Sequence, residues 1–260
     1  MNRLSAQIPA VVLDWAGTMI DHGCLAPVVA LQAVLSHHGF DMGSAEVRIG
    51  MGLPKKEHLR GLLARFGAGE ATEELYPELE RQIFRNLEQY GVLIEGAVEF
   101  AAWARSEGIR IGTSTGYTAE MMRVVTANAA RQGYVPDVVV TPDEVAAGRP
   151  APFMMYTNAL RLGVWPLSSF VKIGDTPSDI AEGRHAGAWT IGVALTGNAL
   201  GLAPAAIAAL SPTERDERCA AARADLRAAG AYRVVDEIGE CRPVLEEIAQ
   251  SIRAGGRPPQ

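Results

Sequence analysis

Five short apolar runs rich in β-branched residues set the frame of this chain: IPAVVLDW (8–15), IRIGTS (109–114), DVVVT (137–141), FVKIGD (170–175) and WTIGVAL (189–195). Runs that stay apolar, instead of alternating with polar residues, suit strands covered on both faces. Segments of helical period separate them: AVEFAAWARSEG, TAEMMRVVTANAARQG, PFMMYTNALRLG and SDIAEGRHAG. The glycines that close these segments, Gly108, Gly133, Gly163 and Gly187, stand where helix C-caps belong. Strand and helix in alternation predict an α/β chain built on a doubly wound parallel sheet.

The alternation breaks once. From about 25 to 91 the patterns are helical (LAPVVALQAVLSHHG, KKEHLRGLLARFG, TEELYPELERQIFRNLEQYG) and no strand pattern occurs. This predicts an α-helical domain, 25–91, inserted after the first strand of a core made of 1–24 and 92–260. The tail adds a helix (TERDERCAAARADLRAAG), a short edge strand (YRVV) and a closing helix.

The formal net charge is -6, so no basic field exists to hold a polyanion, and neither nucleic acid nor an anionic membrane is an expected partner. Cys24, Cys219 and Cys241 lack the spacing of a zinc site or a disulfide framework, which suits a reducing compartment. The apolar run at the amino terminus meets Asp14 too early for a secretory or membrane segment. A cytoplasmic protein is expected.

In a doubly wound sheet, ligands bind beyond the carboxyl ends of the strands. Asp14 ends the first run, Ser114 and Thr115 the second, and Asp175 the fourth, with Asp179 four residues on; Arg149 follows the third. Taken singly each has a plainer role, such as a turn residue or helix cap. Arriving together, the carboxylates would repel one another unless a hard cation shared them, and Mg2+ is the natural occupant. An arginine and a hydroxyl beside them imply an anion, most simply a phosphoryl group, which a carboxylate could attack to give an aspartyl-phosphate.

DWAGT, GTSTGY, GRP and GDTPSD, in this order and on these strands, resemble the haloacid dehalogenase superfamily of Mg-dependent phosphotransferases. The resemblance implies that Asp14 is the nucleophile, Thr115 holds the phosphoryl group and Arg149 offsets its charge. It also implies Mg2+ bound by Asp14, the Ala16 carbonyl and Asp175, with Asp179 acting through water, and makes the insertion a helical cap. One departure stands out. In ordinary phosphatases of that superfamily the residue two past the nucleophile is a second Asp, which protonates the leaving alkoxide and later activates water; Ala16 does neither.

A substitute for that acid lies in the insertion, within MGLPKKEHLRGL (Met51–Leu62). A helix beginning near Pro54 puts Lys55 and His58 on one face, close enough for an imidazole to move protons to or from the amine. The plain reading of adjacent lysines is a solvated helix face. A lysine amine, however, condenses with an aldehyde to an imine, and an imine beside a C–P bond accepts the electrons released when phosphorus departs. No acid at position 16 is then required for that cleavage.

With DWAGT followed by Cys24, MGLPKKEH, TSTGY, VTPDEVAAGRP and GDTPSD leading into EGRHAG, the chain resembles, over nearly its whole length, the phosphonatase (phosphonoacetaldehyde hydrolase) family. That resemblance implies a small phosphonate aldehyde as substrate, cleaved to acetaldehyde and phosphate. It implies a Schiff base at Lys55, with His58 and Tyr117 assisting proton transfer or ordering the pocket and Met51, Cys24 and Gly116 beside the substrate. A homodimer through the cap helices is also implied. Thr113 and Ser114 are exchanged relative to the family's usual STTG. Another phosphatase of the superfamily, a 2-haloacid dehalogenase, or a non-catalytic binder on the same fold remain as alternatives, and the first two have no use for the Lys55 and His58 pair.

Overall fold

In the computed structural model, which describes residues 4–259, β1 (Ala10–Leu13) is followed by four helices with no strand between them. These are α1 (Leu25–His37), α2 (Ser44–Val47), α3 (Lys55–Ala64) and α4 (Thr72–Tyr90). α5 (Ala97–Ser106) then leads into β2 (Arg110–Ser114), α6 (Ala119–Arg131) into β3 (Val138–Val140), α7 (Phe153–Leu162) into β4 (Val171–Gly174), and α8 (Pro177–His185) into β5 (Trp189–Val193). α9 (Pro204–Ala208), α10 (Pro212–Ala228), β6 (Arg233–Val235) and α11 (Cys241–Arg253) complete the order. Residues 1–3 and 260 of the core assignment lie outside the described residues. The short α2 and α9 were not legible in sequence, because about one turn of helix carries no repeat for a period to show.

All six strands are parallel, in the order β3-β2-β1-β4-β5-β6. Side chains alternate across a strand, so Val11 and Leu13 enter the larger core cluster while Ala10 and Val12 enter a second cluster on the opposite face. This is why β1 has no polar residue: both of its faces are covered. The larger cluster runs on into the helices after β1, taking in Leu31 and Leu35 of α1, Leu59 and Leu62 of α3, and Leu79 and Ile83 of α4. Within α4, Leu75, Leu79, Ile83 and Leu87 recur every fourth residue and are buried, the stripe expected of a helix with one covered face. Gly108, Gly133, Gly163 and Gly187 have φ of 77, 100, 65 and 71, the left-handed conformation that ends a helix and that glycine adopts without strain. No described helix is long and apolar enough to cross a membrane.

The strand order reverses direction between β1 and β4. At such a switch point the flanking helices lie on opposite faces of the sheet and leave a crevice at the strand ends. Asp14 and Asp175 are the residues that follow β1 and β4 there, and the backbone N–H of Asp14 still donates to the Ile173 carbonyl at 2.9 Å.

Candidate active site

Asp14, Asp175 and Asp179 are all buried, and each offers a carboxylate oxygen within 4.8 Å of the others. Asp179 is fixed by the start of α8: Thr176 Oγ1 accepts from the Asp179 N–H at 3.3 Å, and Asp179 Oδ2 accepts from the Thr176 N–H at 3.2 Å. This reciprocal cap satisfies two N–H groups that a helix start leaves open. Asp175 Oδ2 accepts from the Asn198 N–H at 2.7 Å and from Cys24 Sγ at 3.3 Å. Its other oxygen, Oδ1, is buried without a partner among the described residues.

Arg149 reaches this cluster from the loop after β3 and is itself buried. Its Nη2 lies 2.7 Å from Asp14 Oδ1, its Nη1 2.9 Å from Asp179 Oδ1, and its Nε 3.2 Å from Glu182 Oε2. Lys172 Nζ lies 2.8 Å from Asp179 Oδ1. Lys172 and Glu182 were not anticipated in sequence. The one local signal is a lysine inside an apolar strand run, FVKIGD, where alternation sends it to the face opposite Val171 and Ile173.

Burial and the Asp179 charge raise the carboxyl of Asp14 above its usual range, and burial with Asp14 and Asp179 as neighbours raises that of Asp175 well above it. Burial works against the charge of Asp179 as well, yet Arg149 and Lys172 hold it low. Four buried carboxylates, Asp14, Asp175, Asp179 and Glu182, thus outnumber the buried cations in ion-pair contact with them, Arg149 and Lys172. A divalent cation among them would offset the excess negative charge and oppose the rise at Asp14 and Asp175. The oxygen donor set and the unpartnered Asp175 Oδ1 fit a hard ion such as Mg2+.

The other wall comes from the helices between β1 and β2. α3 begins at Lys55 after the Pro54 cap, and both Lys55 and His58 are buried while Glu57 is exposed. Lys55 Nζ sits 3.7 Å from Met51 Sδ and 5.0 Å from the centroid of the Tyr117 ring. No carboxylate pairs with it among the described residues. Burial lowers its proton affinity below that of an ordinary lysine. His58 is not hydrogen-bonded to Lys55: its Nε2 donates to the Val47 carbonyl at 2.9 Å, which leaves Nδ1 as the bare nitrogen, buried and unpartnered. Burial, with the Lys55 charge nearby, lowers the pKa of His58 to about 4, so its ring is neutral at physiological pH. Among the described residues the Tyr117 hydroxyl, like His58 Nδ1, is buried without a partner, and the Tyr117 N–H donates to Thr115 Oγ1 at 3.1 Å.

Asp14, Ala16, Cys24, Met51, Lys55, Thr115, Gly116, Tyr117, Arg149 and Asp175 line one cavity of about 20 Å3. Asp179 and His58 are not part of that lining. Such a volume holds about one water molecule, too little for a substrate in this arrangement of the walls. A cleft of about 560 Å3, lined by Arg48, Met51, Asp175, Ser178 and Asn198 among others, adjoins it and shares Met51 and Asp175. Arg48 spans the walls: its Nη1 donates to the Gly23 carbonyl at 2.7 Å and Asn198 Oδ1 at 3.0 Å, and its Nη2 to the Gly201 carbonyl at 2.9 Å. Elsewhere, on the surface, His37, His38 and Glu78 bring ligand atoms within 4.8 Å of one another, a grouping that the histidine spacing alone does not announce.

The walls approach closely at Gly116, where a Cβ would fall inside van der Waals contact with the backbone oxygen of Leu53. Backbone atoms on both sides leave nothing to yield. Gly116→Ala is therefore expected to hold the walls apart and lower kcat/KM by about 100-fold, the scale of an ångström misplacement in a site, with little change in melting temperature. Steady-state kinetics beside a thermal melt checks this, and wild-type kcat/KM would contradict it.

Residues 8–187 match the haloacid dehalogenase-like hydrolase family. A phosphonoacetaldehyde hydrolase of Nitratidesulfovibrio vulgaris is 42% identical over 96% of this chain and 94% of its own length. One of Bacillus cereus is 40% identical over 93% of this chain and 97% of its own. The crystal structure of a phosphonoacetaldehyde hydrolase-like protein from Oleispira antarctica superposes with a TM-score of 0.93 at 34% identity, covering 97% of this chain and 96% of that one. With relatives this similar along almost all of its length, the chain belongs to the phosphonoacetaldehyde hydrolase family of haloacid dehalogenase-like hydrolases.

Proposed function

We propose that this protein hydrolyses the C–P bond of phosphonoacetaldehyde, giving acetaldehyde and phosphate by way of an imine on Lys55 and a phosphoryl group on Asp14. The observation that carries the reading is Lys55 itself: a buried amine, unpaired with any described carboxylate, in the same small cavity as Asp14 and Arg149. The names borne by the relatives support the same substrate.

Burial that favours the neutral amine prepares Lys55 to add to an aldehyde carbon. Loss of water gives the iminium. Asp14 then attacks phosphorus, the C–P electron pair moves into the iminium, and carbon leaves as an enamine. Protonation of the enamine at carbon and hydrolysis of the resulting imine release acetaldehyde and regenerate the amine. Hydrolysis of the aspartyl-phosphate completes the cycle. His58, neutral and with Nδ1 bare, accepts and returns protons at the amine; Tyr117, with its hydroxyl unpartnered, orders that end of the cavity. Arg149 and Thr115 hold the phosphoryl oxygens. Asp14, the Ala16 carbonyl and Asp175 would hold Mg2+, with Asp179 supporting it through water. When bound, the ion offsets the negative charge of the carboxylates and the phosphoryl group, so that the two approach each other.

Phosphate release from phosphonoacetaldehyde, followed together with borohydride trapping of an adduct on Lys55, tests the reading. Phosphate without any adduct would remove the imine from it. Treatment with EDTA is expected to lower the rate by about 100-fold or more and added Mg2+ to restore it; full activity after complete chelation would exclude a metal-dependent route.

A further inference from the structure

Behind Arg149, on the side away from the cavity, lies a buried group that the steps above leave without a role. Glu182 of α8 is fully buried, and a single oxygen, Oε2, receives Arg149 Nε at 3.2 Å, Ser114 Oγ at 2.7 Å and Lys172 Nζ at 3.4 Å. Ser114 Oγ in turn accepts from Lys172 Nζ at 3.0 Å and from Arg149 Nη2 at 3.0 Å. Three elements, β2, β4 and α8, each place one residue around the back of the guanidinium.

We propose that Glu182 is a positioning residue for phosphoryl transfer, fixing the plane of Arg149 with Ser114 and Lys172 as its supports. The inference rests on the reading that Asp14 and Arg149 receive the phosphoryl group. An arginine recognises two oxygens at once only when its fork lies in their plane, and a free guanidinium rotates. Here Nε donates to Glu182 and Nη2 donates to the carbonyl and the hydroxyl of Ser114, which fixes the guanidinium plane with Nη2 2.7 Å from Asp14 Oδ1 and leaves Nη1 without a hydrogen-bond partner among the described residues, free to donate to an oxygen of a phosphoryl group on Asp14. The serine hydroxyl has one proton and gives it to Glu182, which leaves its lone pairs to face both cations. Lys172 extends the support to Asp179.

Fold stability alone is a poor reason for this arrangement. Buried ion pairs return little net stability after desolvation, and Glu182 Oε1 is buried with no described partner at all, which is costly. Orientation of a neighbouring group explains why all the contacts gather on the one oxygen that faces Arg149.

The test is Glu182→Met, which keeps the volume and removes the acceptor. Its kcat is expected to fall about 10- to 100-fold, the usual effect of losing a group that orients a ligand-binding residue, with KM little changed. Affinity for inorganic phosphate in the presence of Mg2+, measured by calorimetry, should fall about tenfold. Borohydride trapping on Lys55 should stay at the wild-type level, because the imine forms on the opposite wall; a general structural defect would lower it too. Glu182→Gln, whose amide oxygen still accepts from Nε, should recover most of the loss. Ser114→Ala removes a support while keeping every charge, and is expected to lower kcat about three- to tenfold with a modest fall in melting temperature, because buried donors lose an acceptor; it carries the test if Glu182→Met does not fold. Wild-type kcat and phosphate affinity in a folded Glu182→Met, or in Ser114→Ala if only that variant folds, would overturn the proposal, as would a Gln variant as impaired as the Met one. If wild-type protein forms no adduct and releases no phosphate from phosphonoacetaldehyde, the proposed reaction fails, while the phosphate affinities still decide the role of Glu182.

Discussion

Lys55→Arg is expected to lower phosphate release from phosphonoacetaldehyde by about 1,000-fold or more, with no adduct trapped by borohydride. The substitution keeps a positive charge and a long aliphatic stem, so a role limited to attracting the phosphonate would survive it in large part. Imine formation would not survive. A guanidinium does not lose its proton in a protein, whereas burial already disposes the Lys55 amine toward its neutral form. Near-normal turnover in Lys55→Arg would sink the imine route and return the chain to the broader class of phosphatases.

Asp14→Asn should be the more severe, about 10,000-fold or more in phosphate release, since an amide oxygen is a poor nucleophile toward phosphorus. Its value lies in the contrast. Lys55 stands on the facing wall and needs nothing from Asp14 to condense with the aldehyde, so Asp14→Asn should still yield a reduced adduct on Lys55 while releasing no phosphate. One variant stops before the imine and the other after it. An Asp14→Asn protein that releases phosphate at the wild-type rate would assign the nucleophile elsewhere.

The parts of this molecule that could be read in its sequence share a physical property: they are local. β1 is apolar at every position because it is covered on both faces, and the glycines that end the helices sit at positive φ. Asp14, Thr115, Arg149 and Asp175 could be placed together because a doubly wound sheet gathers its strand ends at one edge. What escaped are contacts whose partners lie far apart in the chain. Glu182 reads as one more polar residue of a short helix, and only the fold brings it to Ser114, 68 residues earlier. Arg48 sits just after a helix of four residues, and its carbonyl partners at Gly23 and Gly201 carry no side chain to signal them. The sequence pairing of Lys55 with His58 put both on one face of α3, and that face is buried, but the imidazole makes its hydrogen bond to Val47, which spacing along a helix does not reveal.

On the proposed route, Ala16 would turn the lining of the cavity into a filter by leaving group. A sugar phosphate that reached Asp14 would present the same phosphorus and the same oxygens to Arg149. Its alkoxide, however, would have to depart strongly basic, because the methyl side chain at position 16 offers no proton. Carbon departing into an imine carries no such demand. The protein would then tolerate a milieu crowded with phosphate esters without a pocket shaped to keep each of them out, spending neither its nucleophile nor those esters on idle hydrolysis.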